Sequence, residues 1–196
     1  MVIVGLTGGI GSGKTTILKC FESFGIPVYI ADEEAKALMN RSKVIRRKLI
    51  QLFGEGAYKD DELNKPFIAA KIFSDKTLLL KMNAIVHPKV SSHFKRWLKK
   101  QDAPYVIKEA AIIFENKLEH QYDYIITVVA DEDLRIKRVM KRDGRSKEKI
   151  KAIMDNQLSD TEKIKKSDYI ITNNDLDTAK KEASEIHHQI LKRIPS

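Results

Sequence analysis

The chain is poor in cysteine and aromatics and has no long apolar run. Cys20 is the one cysteine, so no intrachain disulfide can form, and a zinc site built on two or more thiolates is excluded. The longest nearly pure apolar stretch, residues 124–130, is far too short to span a bilayer. The opening residues MVIVGLTGG lack the basic segment and cleavage site of a secretory signal. Aromatics make up 7 % and no recognised nucleic-acid motif is present, so a nucleic-acid partner has only the charge in its favour. Acids are also in deficit, with 27 Asp+Glu against 36 Lys+Arg and a net charge of +9. These absences lead us to expect a soluble, cytoplasmic protein with no membrane and no nucleic-acid partner. Its positive charge suits small polyanions such as nucleotides, or is simply a lysine-rich solvated surface.

With 196 residues and 42 % hydrophobic content, the chain can bury a core without disulfides. The pattern opens with an apolar run at 2–6, a Gly-rich turn, a helical stretch from Lys14 to about Phe24 that Gly25 stops, and a short apolar run at 26–30. That is a βαβ opening, which calls for a parallel sheet covered by helices. From about Asp32 to Gln101 the spacing turns helical, with breaks expected near 54–61, at Pro66 and at Pro88. Strand patterns return at 105–107, 124–129 and 168–172, with helices expected at about 131–142, 147–158 and 177–192. The expected fold is α/β: a five-stranded parallel sheet flanked by helices, with a helical insertion and a lid, and the match to GxxxxGK[ST] at residues 8–15 makes it a P-loop NTPase. The expected domains are a core of 1–32 and 103–196, with the lid at about 135–160, and a helical subdomain over 33–102.

Gly8-Gly9-Ile10-Gly11-Ser12-Gly13-Lys14-Thr15 matches the pattern GxxxxGK[ST]. About 0.005 chance matches are expected in a chain of this composition, and the match also lies between a strand and a helix, where the motif belongs. Glycines let backbone N–H groups close around phosphate oxygens, Lys14 carries charge to the β- and γ-phosphates, and the Thr15 hydroxyl is a Mg²⁺ ligand. The helix that follows turns its positive end toward the same anion. ATP and Mg²⁺ are therefore the expected cofactors.

Other P-loop classes fit less well. The nearest approach to a guanine-reading NKxD motif, Asn64-Lys65-Pro66-Phe67, lacks the acid. Where a large ATPase would show four apolar residues ending in Asp-Glu, Val106-Ile107-Lys108-Glu109 has a lysine inside the run. Four of the nine arginines, Arg135, Arg138, Arg142 and Arg145, fall within eleven residues, and the first three share one helical face. Such a face suits the charge spread over a transferring phosphoryl group, with Gly144-Arg145 as the end of a closing lid; the plainer alternative is a solvated basic helix. Asp32 directly follows the second strand, where it is either a helix N-cap or the base that takes the acceptor's proton.

Together LTGGIGSGKTT at 6–16, GIPVYIAD at 25–32, IVHPKV at 85–90, IIFEN at 112–116, RIKRVMKRDGRS at 135–146 with Gln157 beyond, and DYIITNN at 168–174 resemble the dephospho-CoA kinase family. The resemblance runs in order across nearly the whole chain. It implies ATP-dependent phosphorylation of the ribose 3′-hydroxyl of dephospho-CoA, so ATP and dephospho-CoA are the implied partners. It places Asp32 on the catalytic base, with Lys14, Arg138 and Arg142 at the transferring phosphoryl group. Gly11, Ser12, Gly13, Lys14, Thr15 and Thr16 fall on the ATP-phosphate loop, and Asn173 near the adenine. His87 and Glu115 fall on the acceptor side. Three departures stand out: Ile30-Ala31-Asp32 where members often have Asp-Ala-Asp, Glu109 where many have Asp, and Ala111 where many have Pro. Glu109 keeps a carboxylate for Mg²⁺, one methylene longer. The insertion carries Arg41, Lys43, Arg46, Arg47 and Lys48, which suit either an acceptor groove or a solvated face. The alternatives are another P-loop small-molecule or nucleotide kinase and, more distantly, a P-loop protein that binds nucleic acid or a protein partner.

Overall fold

A computed structural model describes residues 1–194. The chain divides into two compact units, one made of Met1–Tyr29 with residues from Gln101 onward, the other of Ile30–Lys100.

The first unit is built on a five-stranded sheet. Its strands are β1 (Val2–Thr7), β2 (Val28–Ile30), β5 (Tyr105–Glu109), β6 (Tyr124–Val129) and β7 (Tyr169–Thr172), in the order β2-β5-β1-β6-β7. The pairs β1–β5, β1–β6 and β6–β7 are parallel, and Leu6 lies opposite Glu109. Val4, Leu6, Ile107, Ile126, Val128 and Ile171 are buried, as expected of strands covered on both faces, whose sequences read as nearly continuous apolar runs. Helix α1 (Lys14–Ser23) packs on α9 (Leu176–Arg193), and Ile17 and Phe21 of the first and Ala183 and Ile190 of the second are buried. Strand order reverses about β1, so the loop after β1 lies at the switch point where open α/β sheets bind ligands.

The second unit holds α2 (Ala31–Arg41), α3 (Lys43–Phe53), a hairpin of β3 (Tyr58–Lys59) and β4 (Glu62–Leu63), α4 (Lys65–Ser74) and α5 (Thr77–Leu98). Ile45, Leu49, Ile68, Val86 and Phe94 form its core. The helices break near 54–61 as expected, and there Asp60 and Asp61 take φ of 49° and 65° and close the two-residue turn of the β3–β4 hairpin. One expectation is corrected here. Pro88 does not end a helix: α5 runs straight through it, and the buried Val86 and Val90 on either side keep that face anchored although Pro88 offers no N–H to the helix ladder.

Back in the first unit, the basic stretch forms α6 (Glu132–Asp143), followed by α7 (Lys147–Asp155) and the short α8 (Asp160–Lys165). The helix expected to reach about 158 ends at Asp155, and α8, which was not expected, begins at Ser159 with a capping box to Glu162. Ile136 and Val139 of α6 pack with Ile150 of α7, and Ile10 and Met154 lie against the same cluster.

Candidate active site

The loop from Gly8 to Thr15 leaves β1 and ends at the first residues of α1. Gly13 caps that helix with a φ of 93°, and a Cβ there would collide with the amide of Asn173. Glycine is thus required twice over, by the left-handed backbone and by the close neighbour. Gly9 has a different reason: a Cβ would run into the Arg135 guanidinium. Helix α1 begins with no capping side chain and no acid in its first turn, so its positive end opens to the loop.

Lys14 Nζ donates to the Gly8 carbonyl at 2.9 Å and stands 3.8 Å from Glu109 Oε1. The carboxylate is 6 % exposed at the end of β5, so the loop's lysine and a buried acid face one another. Close by, burial and the Glu109 charge hold the Tyr122 phenol well above its ordinary pKa. Thr15 and Thr16 are exposed in the first turn of α1. A hydroxyl and a carboxylate are oxygen donors of the kind Mg²⁺ takes, so Thr15 and Glu109 fit that ion.

The arginines of α6 differ more than their shared face suggests. Arg135 is buried: its Nε donates to the Ile10 carbonyl at 2.9 Å, and its guanidinium pairs with Asp160 at 2.8 Å. It supports the loop from below rather than lining a lid. Arg138 has one guanidinium nitrogen buried without a hydrogen-bond partner among the described residues, 3.7 Å from where a Gly13 Cβ would be. A buried, unmatched cationic donor beside a phosphate loop is completed by an anion. Arg142 is exposed and holds Asp143 through two hydrogen bonds of 2.7 and 3.0 Å.

Asn173 is buried, and its amide donates to the Ser12 carbonyl at 2.8 Å, so the end of β7 fixes the loop's backbone. Glu115 is engaged within the unit: its Oε1 accepts from the Leu158 N–H at 3.0 Å and lies 2.9 Å from Nζ of the fully buried Lys163. In the second unit Asp32 is exposed in the first turn of α2. The N-cap position there belongs to Ile30, which removes the capping alternative for Asp32. His87 is exposed on α5 just before Pro88. Two of the insertion's arginines are already paired within that unit, Arg41 with Glu34 at 2.9 Å and Arg46 with Asp61 at 2.8 Å. The residue reading missed the role of Arg135 as a support, and it missed Asp160 and Lys163. Arg135 was visible as part of the basic cluster; the other two carry no local signal.

A parallel sheet with a glycine-rich loop at its switch point, closed by a lysine and fringed by arginines, defines a P-loop kinase-like nucleotide-binding protein. The same fold is found in shikimate kinase from Acinetobacter baumannii solved with shikimate, at a TM-score of 0.57 and 15 % identity over all of this chain and 96 % of that one. The chain belongs to the dephospho-CoA kinase (CoaE) family, which it matches over residues 2–178. The dephospho-CoA kinase of Bacteroides fragilis is 38 % identical over 87 % of this chain and 83 % of its own length. That of Fusobacterium nucleatum is 34 % identical over 89 % and 90 %. Among solved structures, TT1252 from Thermus thermophilus superposes with a TM-score of 0.87 at 30 % identity, covering 96 % of both chains.

Proposed function

We propose that this chain transfers the γ-phosphoryl group of ATP to the ribose 3′-hydroxyl of dephospho-CoA, yielding CoA and ADP, in the cytoplasm and with Mg²⁺. The observation that carries the reading is the Lys14–Glu109 pair at the mouth of the phosphate loop in a chain of this family. Phosphoryl transfer asks a protein mainly for positioning and charge stabilisation. The loop amides and Lys14 hold the β- and γ-phosphates, and Thr15 and Glu109 would hold Mg²⁺, which would neutralise phosphate charge there. Arg138 gives its unmatched donor to a phosphate oxygen. Arg142 leaves Asp143 and meets the charge that develops on the equatorial oxygens. Asp32 accepts the proton of the 3′-hydroxyl as that oxygen bonds to the γ-phosphorus and the bond to the bridging oxygen of ADP breaks. His87 contacts the acceptor. Glu115 and Asn173 serve as positioning residues through the segments they hold. The reading requires no membrane and no nucleic acid.

The test is ADP release from Mg-ATP with dephospho-CoA, run beside AMP, CMP, adenosine and shikimate, with product mass checked for one added phosphate on the ribose. Turnover confined to dephospho-CoA is expected. Turnover with another acceptor alone would keep the P-loop kinase and discard this substrate.

A further inference from the structure

Ile10, at the crown of the phosphate loop, is held from outside the loop on both its backbone groups. Its N–H donates to Gln157 Oε1 at 3.0 Å, and its carbonyl accepts from Arg135 Nε at 2.9 Å. Its side chain lies against the Ile136–Val139–Ile150 cluster. The residues on either side are Gly9 and Gly11, whose torsions are the least restrained of any residue type. The two outside hydrogen bonds therefore orient the peptide planes before and after Ile10, planes that the glycines leave free to turn.

We infer that Gln157 is a positioning residue for the phosphate loop: its side-chain carbonyl sets the Ile10 amide and, through it, the loop's grip on the triphosphate. The inference rests on the kinase reading for the identity of that anion. The segment that presents Gln157 is fixed at several points. Its own N–H donates to the Met154 carbonyl at 2.9 Å, and the next N–H, of Leu158, donates to Glu115. Glu115 is in turn held by the buried Lys163, and Asp160 pairs with Arg135. Gln157 thus reaches the loop from a braced connection between α7 and α8, and the brace closes on itself through Asp160 and Arg135. An apolar side chain of equal size could fill the space, but it could not accept from the Ile10 N–H. Phosphate-binding donors act only when aimed, so a loop with its crown released would meet the triphosphate less well while the rest of the unit stayed folded.

The experiment uses the full chain with Gln157→Leu, which removes the acceptor, and Gln157→Glu, which keeps an acceptor oxygen. Equilibrium binding of a non-hydrolysable ATP analogue with Mg²⁺, both KM values, the melting temperature and NMR exchange of the Ile10 amide are measured. For Gln157→Leu we expect the analogue Kd and the KM for ATP to rise about 3–15-fold, the scale of one lost hydrogen bond. The KM for dephospho-CoA and the melting temperature should change little, and the Ile10 amide should exchange faster. Gln157→Glu should restore Ile10 protection and most of the nucleotide affinity. An unchanged analogue Kd in Gln157→Leu would overturn the inference, as would a parallel rise of both KM values with a lower melting temperature, the mark of a merely structural residue. If the parent chain does not phosphorylate dephospho-CoA, the functional reading fails, whereas analogue binding and Ile10 exchange still decide the role of Gln157.

Discussion

Lys14 and Glu109, brought together from the first helix and the third strand of the main sheet, stand 3.8 Å apart with the carboxylate almost fully buried. In the proposed function the pair puts a charge on each side of the phosphate loop, a cation for the β- and γ-phosphates and an anion for the metal that accompanies them. Glu109→Gln keeps the size and removes the charge. The Mg²⁺ concentration for half-maximal activity should rise, and kcat should fall by about 10²–10³, the range seen when a transition-state electrostatic contact is lost. A Mg²⁺ titration at saturating ATP measures both; an unchanged midpoint would take Glu109 out of the metal site.

Asp32 stands exposed in the first turn of α2 with Ile30, not Asp32, at the capping position. Asp32→Asn should therefore cost little stability. If Asp32 is the base, kcat should drop by about 10²–10⁴ with ATP affinity nearly unchanged. Steady-state kinetics beside a thermal melt separate the two effects, and near-normal turnover would remove Asp32 from the chemistry.

Arg142 is bound to its neighbour Asp143 on an exposed surface, where solvent screening leaves an ion pair little effect on stability. Arg142→Ala should leave the melting temperature almost unmoved and lower kcat more than it raises the KM for ATP, since the side chain is proposed to meet charge that develops during transfer. A variant that loses melting temperature and keeps kcat would show a structural arginine.

Lys163 and Glu115 form an ion pair in which the lysine is fully buried. Removing one partner leaves a buried charge unmatched, and Lys163→Ala should cost about 3–5 kcal/mol of unfolding free energy. Denaturant unfolding measures the loss. Glu115→Gln, which keeps an acceptor for the Leu158 N–H, should cost less.

His187 lies against Phe24 and hydrogen-bonds the Tyr105 hydroxyl at 2.7 Å; burial first, then the neighbouring His188, lowers its pKa below the ordinary 6.5. The unfolded chain therefore takes up a proton at His187 at a higher pH than the folded chain does. As pH falls through 6.5 toward the folded value stability is lost, and once both states are protonated this contribution stops changing. Melting temperatures across pH 5–8 should fall on the acid side, and His187→Gln should flatten that slope. An unaltered slope would assign the acid sensitivity to other groups.

Much of the fold was legible because its signals are local. The apolar runs of β1, β5 and β6 are buried on both faces and announce themselves in sequence, as do the glycines around the loop. The hairpin at 58–63 was not legible: its strands are two residues each, too short for any alternation, and its turn uses two aspartates where Asn-Gly would have been a signal. The run of α5 through Pro88 was misjudged because proline argues against a helix locally, while the packing of Val86, Val90 and Phe94 argues for it globally.

By itself the sequence determined the phosphate loop, its lysine and threonine, and the parallel sheet, since each depends on residues adjacent in the chain or on a short period. Tertiary structure alone decided what each polar residue of the site faces. Arg135 and Arg142 share a helix and a basic cluster, yet one is buried beneath Ile10, 125 residues away in sequence, and the other is exposed beside Asp143. Gln157 meets the same Ile10 from 147 residues away. Such contacts have no period and no local propensity. They exist because the packing of α6 and α7 brings distant donors and acceptors to one point, where leaving any of them unmatched would cost more than matching them.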